Sequence, residues 1–181
     1  MIREENQGGE GQRLLARDPR AWEALHERVY PAMMNYALRR LSNADAAQDA
    51  VAEAMTRVVA TRDKLVDAVS PEAWCIGVLR HVVADVHRRG YRERDRSVPT
   101  PRALDLDVGE RMELNDEHEA MRAAFSRLDE TDREVLQLRV IAGLSSEEAA
   151  EVLEISPGAV RMAQSRALER LRRLMTEGVG V

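Results

Sequence analysis

Apolar residues recur at spacings of three and four along nearly the whole chain, and that rhythm leaves helix as the one regular structure it suits. Trp22, Leu25, Val29, Met33, Tyr36, Ala37 and Leu41 form one apolar stripe, and Ala47, Val51, Met55 and Val58 form another. A strand would need alternation with a period of two, and no such stretch stands out. The punctuation agrees. Asp18 can cap a helix, and Pro19 suits its first position. The second helix is expected over 44–62. Ser70 and Pro71 repeat the cap-and-proline device ahead of a third stripe, Trp74, Val78, Leu79, Val82 and Val86, expected to end near Gly90. Aromatic residues are only 3% of the 181, so the core must be aliphatic.

The rhythm lapses once. Ser97, Val98, Pro99, Thr100, Pro101 and the acidic stretch after them show no amphipathic repeat, and two prolines so close break a helix. A linker is therefore expected at 92–111, between helical domains at 14–91 and 112–176. Periodicity resumes with Leu114, His118, Met121, Phe125 and Leu128. Thr131, Asp132, Arg133 and Glu134 have the form of a capping box. They predict a helix running to Ala142, with Gly143 as its stop. Ser145, Ser146, Glu147 and Glu148 offer a second box, and Ser156-Pro157 opens a last helix reaching about Met175. The expected fold is all-α, two small helical domains joined by a flexible acidic linker.

Composition narrows the function. A lone cysteine, Cys75, excludes an intramolecular disulfide framework and a Cys-based zinc cluster. Its place in an apolar helix fits a small structural hydrophobe better than a redox sensor. No apolar run reaches the ~18–20 residues of a membrane span, and the polar N-terminus lacks the basic start and apolar core of a signal peptide. The expectation is a cytoplasmic protein with no direct membrane insertion.

The net charge of −5 hides a pattern. Residues 80–96 hold six Arg against Asp85, Glu93 and Asp95, a balance of +3. Residues 103–119 hold seven acids against Arg111, a balance of −6. Residues 155–175 hold five Arg against Glu169, a balance of +4. Two basic segments flanking an acidic one suggest two contact surfaces for an anion. Lys64 is the only lysine, and Arg binds phosphates and base edges with a planar fork; an arginine-rich codon bias would produce the same count.

The most informative stretch is 144–173. A short helix over 146–153, the turn Glu154, Ile155, Ser156, and a longer Arg-rich helix have the layout of a helix-turn-helix, whose second helix enters the major groove N-terminus first. Ala149 and Ala150 are small where the helices cross, and Val152, Leu153, Ile155, Val160, Leu168 and Leu171 supply a shared core. Ser156, Gly158, Arg161, Met162, Ser165 and Arg166 stand near the start of the second helix. There Arg can pair with guanine, Ser with several base edges, and Met with a thymine methyl. The amides at the helix start suit a phosphate. Arg170, Arg172 and Arg173 lie further along, placed for DNA backbone or solvent. The plainer reading of the same residues is a helical hairpin with a solvated Arg face.

These features together resemble a bacterial RNA polymerase sigma factor of the sigma-70 family, extracytoplasmic-function (ECF) group. Leu138, Arg139, Gly143, Leu144, Ser145, Glu148 and Ala150, with Ser156, Gly158, Val160, Arg161, Ser165, Arg166 and Leu168, look like its region 4. Asp45, Ala47, Gln48, Asp49, Val51 and Glu53 look like region 2.2. Trp74 and the run to Arg89, with Arg80-His81 and Arg88-Arg89, look like regions 2.3 and 2.4. The resemblance implies a promoter-specificity subunit that is not an enzyme and needs no cofactor or metal. Region 4 would bind the −35 element through the six residues named above. Region 2 would melt and capture the −10 element through His81, Asp85, Arg88, Arg89 and Lys64. Asp45, Asp49 and Glu53 would dock on the β′ clamp helices of core polymerase, and the β flap is a further expected contact. An anti-sigma factor often masks these surfaces in the group.

The residue chemistry fits these roles with alternatives still open. Asp45, Asp49 and Glu53 are successive i,i+4 carboxylates, each like-charge pair costing ~0.2–0.5 kcal/mol in isolation. A basic partner would relieve that repulsion, and so in part would Arg57. Asp85 repels phosphate but can accept from a cytosine amino group. His81, Asp85 and His87 have a spacing that metal ligands also use, without a third soft ligand nearby. A flipped base would be held by the loop at 62–69, which offers no ring to stack on it. Gln48, Ala52 and His81 depart from residues the family often carries. A stand-alone helix-turn-helix regulator that never joins polymerase is the competing reading.

Overall fold

The computed structural model describes residues 2–41, 43–94 and 116–178, so most of the expected linker and the residue Leu114 lie outside the described residues. Eight α-helices follow one another: α1 (Ile2–Leu15), α2 (Pro19–Arg40), α3 (Ala44–Ala60), α4 (Pro71–Arg94), α5 (Asp116–Ser126), α6 (Glu130–Leu136), α7 (Ser146–Leu153) and α8 (Pro157–Gly178). A 3₁₀ turn (Arg62–Val66) precedes α4, and a π-helical turn (Gln137–Ile141) follows α6. The helices divide into two compact units, one built on α1 to α4 and one on α5, α6, the start of α7 and α8.

In the first unit α2, α3 and α4 pack on one another. Leu25, Val29 and Met33 of α2 meet a core shared with Val51 and Val58 of α3 and Ile76, Leu79 and Val82 of α4, all at most 2% exposed. Each such side chain contributes ~1.5–3 kcal/mol on burial. Ala47, Ala50 and Ala54 line the buried side of α3, so bulk comes from its neighbours. The caps form as the sequence indicates. Asp18 accepts from the Arg20 N–H at 3.0 Å, and Ser70 Oγ accepts from the Ala73 N–H at 3.1 Å. Asn43, which the periodicity does not single out, caps α3 by accepting from the Ala46 N–H at 2.6 Å.

Two features of this unit differ from expectation. Helix α4 continues past Gly90 to Arg94, because Gly90 keeps a right-handed φ and a lone glycine is tolerated inside a helix. The polar N-terminus forms α1, whose Leu14 is fully buried. It is held at its C-terminal end, where the Trp22 indole N–H donates to the Leu14 carbonyl at 3.0 Å. Arg28 of α2 clasps Glu10 at 2.8 Å and Glu72 at 2.9 Å, joining α1, α2 and α4.

The second unit gathers α5 and α6 on α8. Leu128, Leu136 and Ala167 form its core with Phe125, Leu168, Leu171 and Leu174 packed against them. Helix α6 starts two residues earlier than expected. Its cap is Asp129, accepting from the Asp132 N–H at 2.8 Å, rather than Thr131, because the carboxylate is the stronger acceptor for the first free amides. The helical run closes with Gly143 at φ +71, so the expected stop holds, although its last turn is π rather than α. Ile155 is 41% exposed and does not join the shared core; Ala163 and Ala167 do.

Candidate nucleic-acid interface

The helix-turn-helix is assembled by backbone demands met locally. The Ser145 N–H donates to Glu148 Oε2 at 2.6 Å while the Glu148 N–H donates to Ser145 Oγ at 3.1 Å, a closed capping box that starts α7. Helix α7 ends in a Schellman turn. The Ile155 N–H donates to the Ala150 carbonyl at 3.1 Å, and Glu154 takes the left-handed position at φ +57. Ser156 then caps α8, its Oγ accepting from the Ala159 N–H at 3.2 Å and its carbonyl from the Val160 N–H at 3.1 Å. Pro157 has no N–H, so Gly158 keeps the amide best placed to face an anion.

Helix α8 presents Arg161, Met162, Ser165 and Arg166 to solvent, with Met162 67% exposed. Ser156 is exposed and Gly158 half-buried. The two arginines do not share one environment. Arg161 and Ser165 line a groove of about 500 Å³ with Arg139, Ser146, Gln164 and Arg172, which has no acid in its wall. Arg166 lines a separate groove of about 460 Å³ with Arg170 and Arg173, where Asp129, Asp132 and Glu169 balance the charge. The first groove therefore has the more basic wall, with Glu147 standing beside its Arg161.

Several residues that the sequence singles out for other reasons shape this surface through partners it does not reveal. Arg139 donates through Nε to Gln164 Oε1 at 2.9 Å and through Nη1 to the Leu144 carbonyl, tying the π turn to α8. Glu147 stands 3.4 Å from Arg161, so the arginine's resting partner is a carboxylate one helix earlier. Arg170 pairs with Asp129 at 2.5 Å and Asp132 at 3.3 Å, which makes it a brace between α6 and α8. The Asp132 N–H first, then Arg170, hold the Asp129 carboxyl below the usual carboxylate range. The side-chain partners of Arg139, Arg161 and Arg170 lie 14 to 41 residues away, so no local window could pair them.

In the first unit, His81, Arg88, Arg89 and Lys64 are all exposed. The first three lie on α4, and Lys64 sits on the 3₁₀ turn before it. Asp85 is different. It is paired with Arg88 one turn on and, at 3.5 Å, with Arg57 of α3. The Arg88 hydrogen bond leads in holding its carboxyl below the usual range, with Arg57 adding to it. On α3, Asp45 and Asp49 are exposed, whereas Glu53 is paired with Arg57. The sequence expectation that Arg57 partly neutralises this face holds for Glu53. Cys75 is fully buried, and burial pushes its thiol up to about 12, a structural residue's environment.

No helix among the described residues is long and apolar enough to cross a membrane. Residues 25–93 match the family model for sigma-70 region 2, and residues 118–171 match that for sigma-70, region 4. The chain is 34% identical over 174 residues to the ECF RNA polymerase sigma factor ShbA of Streptomyces griseus subsp. griseus, covering 90% of this chain and 91% of that protein. It is 32% identical over 166 residues to the ECF RNA polymerase sigma factor SigD of Mycobacterium tuberculosis, covering 87% and 78%. Among solved structures, the sigma factor RpoE of Bartonella quintana, in complex with the anti-sigma factor NepR, superposes with a TM-score of 0.63 at 25% identity, covering 85% of this chain and 96% of that one. Helix-turn-helix, preceding helical unit and relatives agree: the chain belongs to the sigma-70 family of RNA polymerase sigma factors, in its extracytoplasmic-function group.

Proposed function

We propose a division of labour between the two units of this sigma factor. The chain is a promoter-specificity subunit of bacterial RNA polymerase, which binds the core enzyme and directs initiation at −35 and −10 promoter DNA. In this reading α8 enters the −35 major groove with Arg161, Met162, Ser165 and Arg166 foremost, while Ser156 and Gly158 hold a phosphate. Helix α4 and the 3₁₀ turn engage the −10 element through His81, Arg88, Arg89 and Lys64. Asp45 and Asp49 lead the contact of α3 with the β′ clamp helices, and the β flap is a second contact on polymerase. The protein does no chemistry of its own and needs no cofactor. Because RpoE occurs with NepR, an anti-sigma factor is proposed as a further partner.

The observation that carries the reading is the order of the two family segments along one chain, the second ending in an exposed α8 stripe beside a groove lined by Arg139, Arg161 and Arg172. Purification with bacterial core polymerase, followed by transcription from a genomic promoter library, tests it. A stoichiometric complex that starts at a limited promoter set is the expected result. Tight specific DNA binding by the protein alone, with no complex, would replace it with the stand-alone regulator.

A further inference from the structure

The face that α4 is proposed to turn toward DNA carries its own carboxylate, and that carboxylate is engaged. Asp85 Oδ1 accepts from Arg88 Nη2 and Asp85 Oδ2 from Arg57 Nη1. Arg57 is drawn the other way by Glu53, so four side chains of α3 and α4 make one alternating chain of charge. Arg88 is the outermost of them, its side chain 67% exposed, against 30% for Asp85.

A carboxylate and a phosphate present the same pair of anionic oxygens to a guanidinium fork. Both oxygens of Asp85 are already committed, so accepting from a cytosine amino group would mean sharing them. The pairs are solvent-facing, where ion pairs are weak and exchangeable. A DNA phosphate competing for the same guanidinium brings counterion release in its favour. We propose that Asp85 is an internal competitor for promoter phosphate: it occupies Arg88 and Arg57 in the free protein, and it limits the affinity of α4 for DNA instead of reading a base. This rests on the assignment of α4 to the −10 element.

The test uses holoenzyme reconstituted from core polymerase and the full chain, with equilibrium binding of a labelled promoter fragment over a salt series. Asp85→Asn is expected to tighten binding about two- to fivefold, the range of an exposed ion pair. It should also steepen the salt dependence by ~0.7–0.9 in log–log slope, one added phosphate contact. The gain should be equal for every −10 sequence, and Asp85→Ser should reproduce it. In the Arg88→Gln background the gain should shrink. Looser binding by Asp85→Asn, or a changed order of preferred bases, would make Asp85 a base reader and overturn the proposal. So would a gain undiminished by Arg88→Gln, which would mark a general charge effect. Failure of the underlying assignment has a separate signature: Arg88→Gln alone would leave both affinity and salt slope unchanged.

Discussion

Glu154 sits where a glycine would be expected, and replacing it tests how the turn of the helix-turn-helix is held. Its φ of +57 lies in the left-handed region, which costs a side-chain-bearing L-residue roughly 1–2 kcal/mol. The side chain is exposed and forms no ion pair among the described residues, so it returns little. Glycine removes the local cost but enlarges the unfolded ensemble, a penalty of about 0.4–1 kcal/mol. The net for Glu154→Gly is a stabilisation of about 0.5–1 kcal/mol, or about 2–8 °C for a unit this small. Gly143→Ala is the mirror experiment. A Cβ there meets no atom within 4 Å, so the loss of about 0.5–1 kcal/mol would be backbone cost alone. The sequence supplies a clean assay. Both tryptophans, Trp22 and Trp74, and all three tyrosines, Tyr30, Tyr36 and Tyr91, precede the second unit. Tryptophan fluorescence thus follows the first unit, while far-UV circular dichroism follows the helices of both. A lower stability for Glu154→Gly would refute the argument, as would a higher one for Gly143→Ala.

Other outcomes follow from the same geometry. Arg161→Ala should cost about 1–3 kcal/mol on a preferred −35 element and more than Arg166→Ala, because the groove that Arg161 lines is the more basic of the two; gel-shift titration with the holoenzyme on single-base −35 variants would measure both. Asp45→Arg with Asp49→Arg should weaken core-polymerase binding by about tenfold or more in a competition assay, whereas Glu53→Gln should cost less, since Arg57 already holds that carboxylate. Asp129 has a folded-state acidity stronger than its unfolded value of about 3.9. Its contribution is therefore present above that value and lost as pH falls through the lower folded one. In an acid titration followed by circular dichroism, the stability gap between wild type and Asp129→Asn should close below about pH 4. Cys75, with its thiol near 12, should ignore a thiol-specific reagent in the native protein at about pH 8 and react once urea unfolds the first unit.

What the sequence made legible was local. Capping at Asp18, Ser70, Ser145 and Ser156 depends on residues at most three apart, and each cap forms. The stripe from Leu25 to Ala37 depends on periodicity alone, and its members are buried. Differences arise where two local solutions competed. Asp129 and Thr131 both offered an oxygen to the start of α6, and the carboxylate took it. Gly90 could have ended α4 only by turning left-handed, and it stays in the helix. Ile155 follows a left-handed residue, which swings its side chain out of the register that the apolar spacing assumed.

Charge was the least legible property, because counting by segment treats an arginine as a free cation. The balance of +4 over 155–175 includes Arg161, paired with Glu147 fourteen residues away, and Arg170, paired with Asp129 and Asp132 forty-one and thirty-eight away. The +3 over 80–96 includes Arg88, paired with Asp85 in the same segment. Apart from the bond of Arg170 to the buried Asp132, these pairs are solvent-facing and weak, so each lowers the field the resting protein offers DNA without closing the surface. Where these arginines meet DNA as proposed, each carboxylate has to be outcompeted by a phosphate or base edge, and one contact alone gains little from that exchange. Contacts made in parallel gain more, because once polymerase holds the two units on one promoter, each later contact is made at high effective concentration. For the arginines proposed to face DNA, internal pairing thus favours binding by the assembled enzyme over binding by the lone subunit.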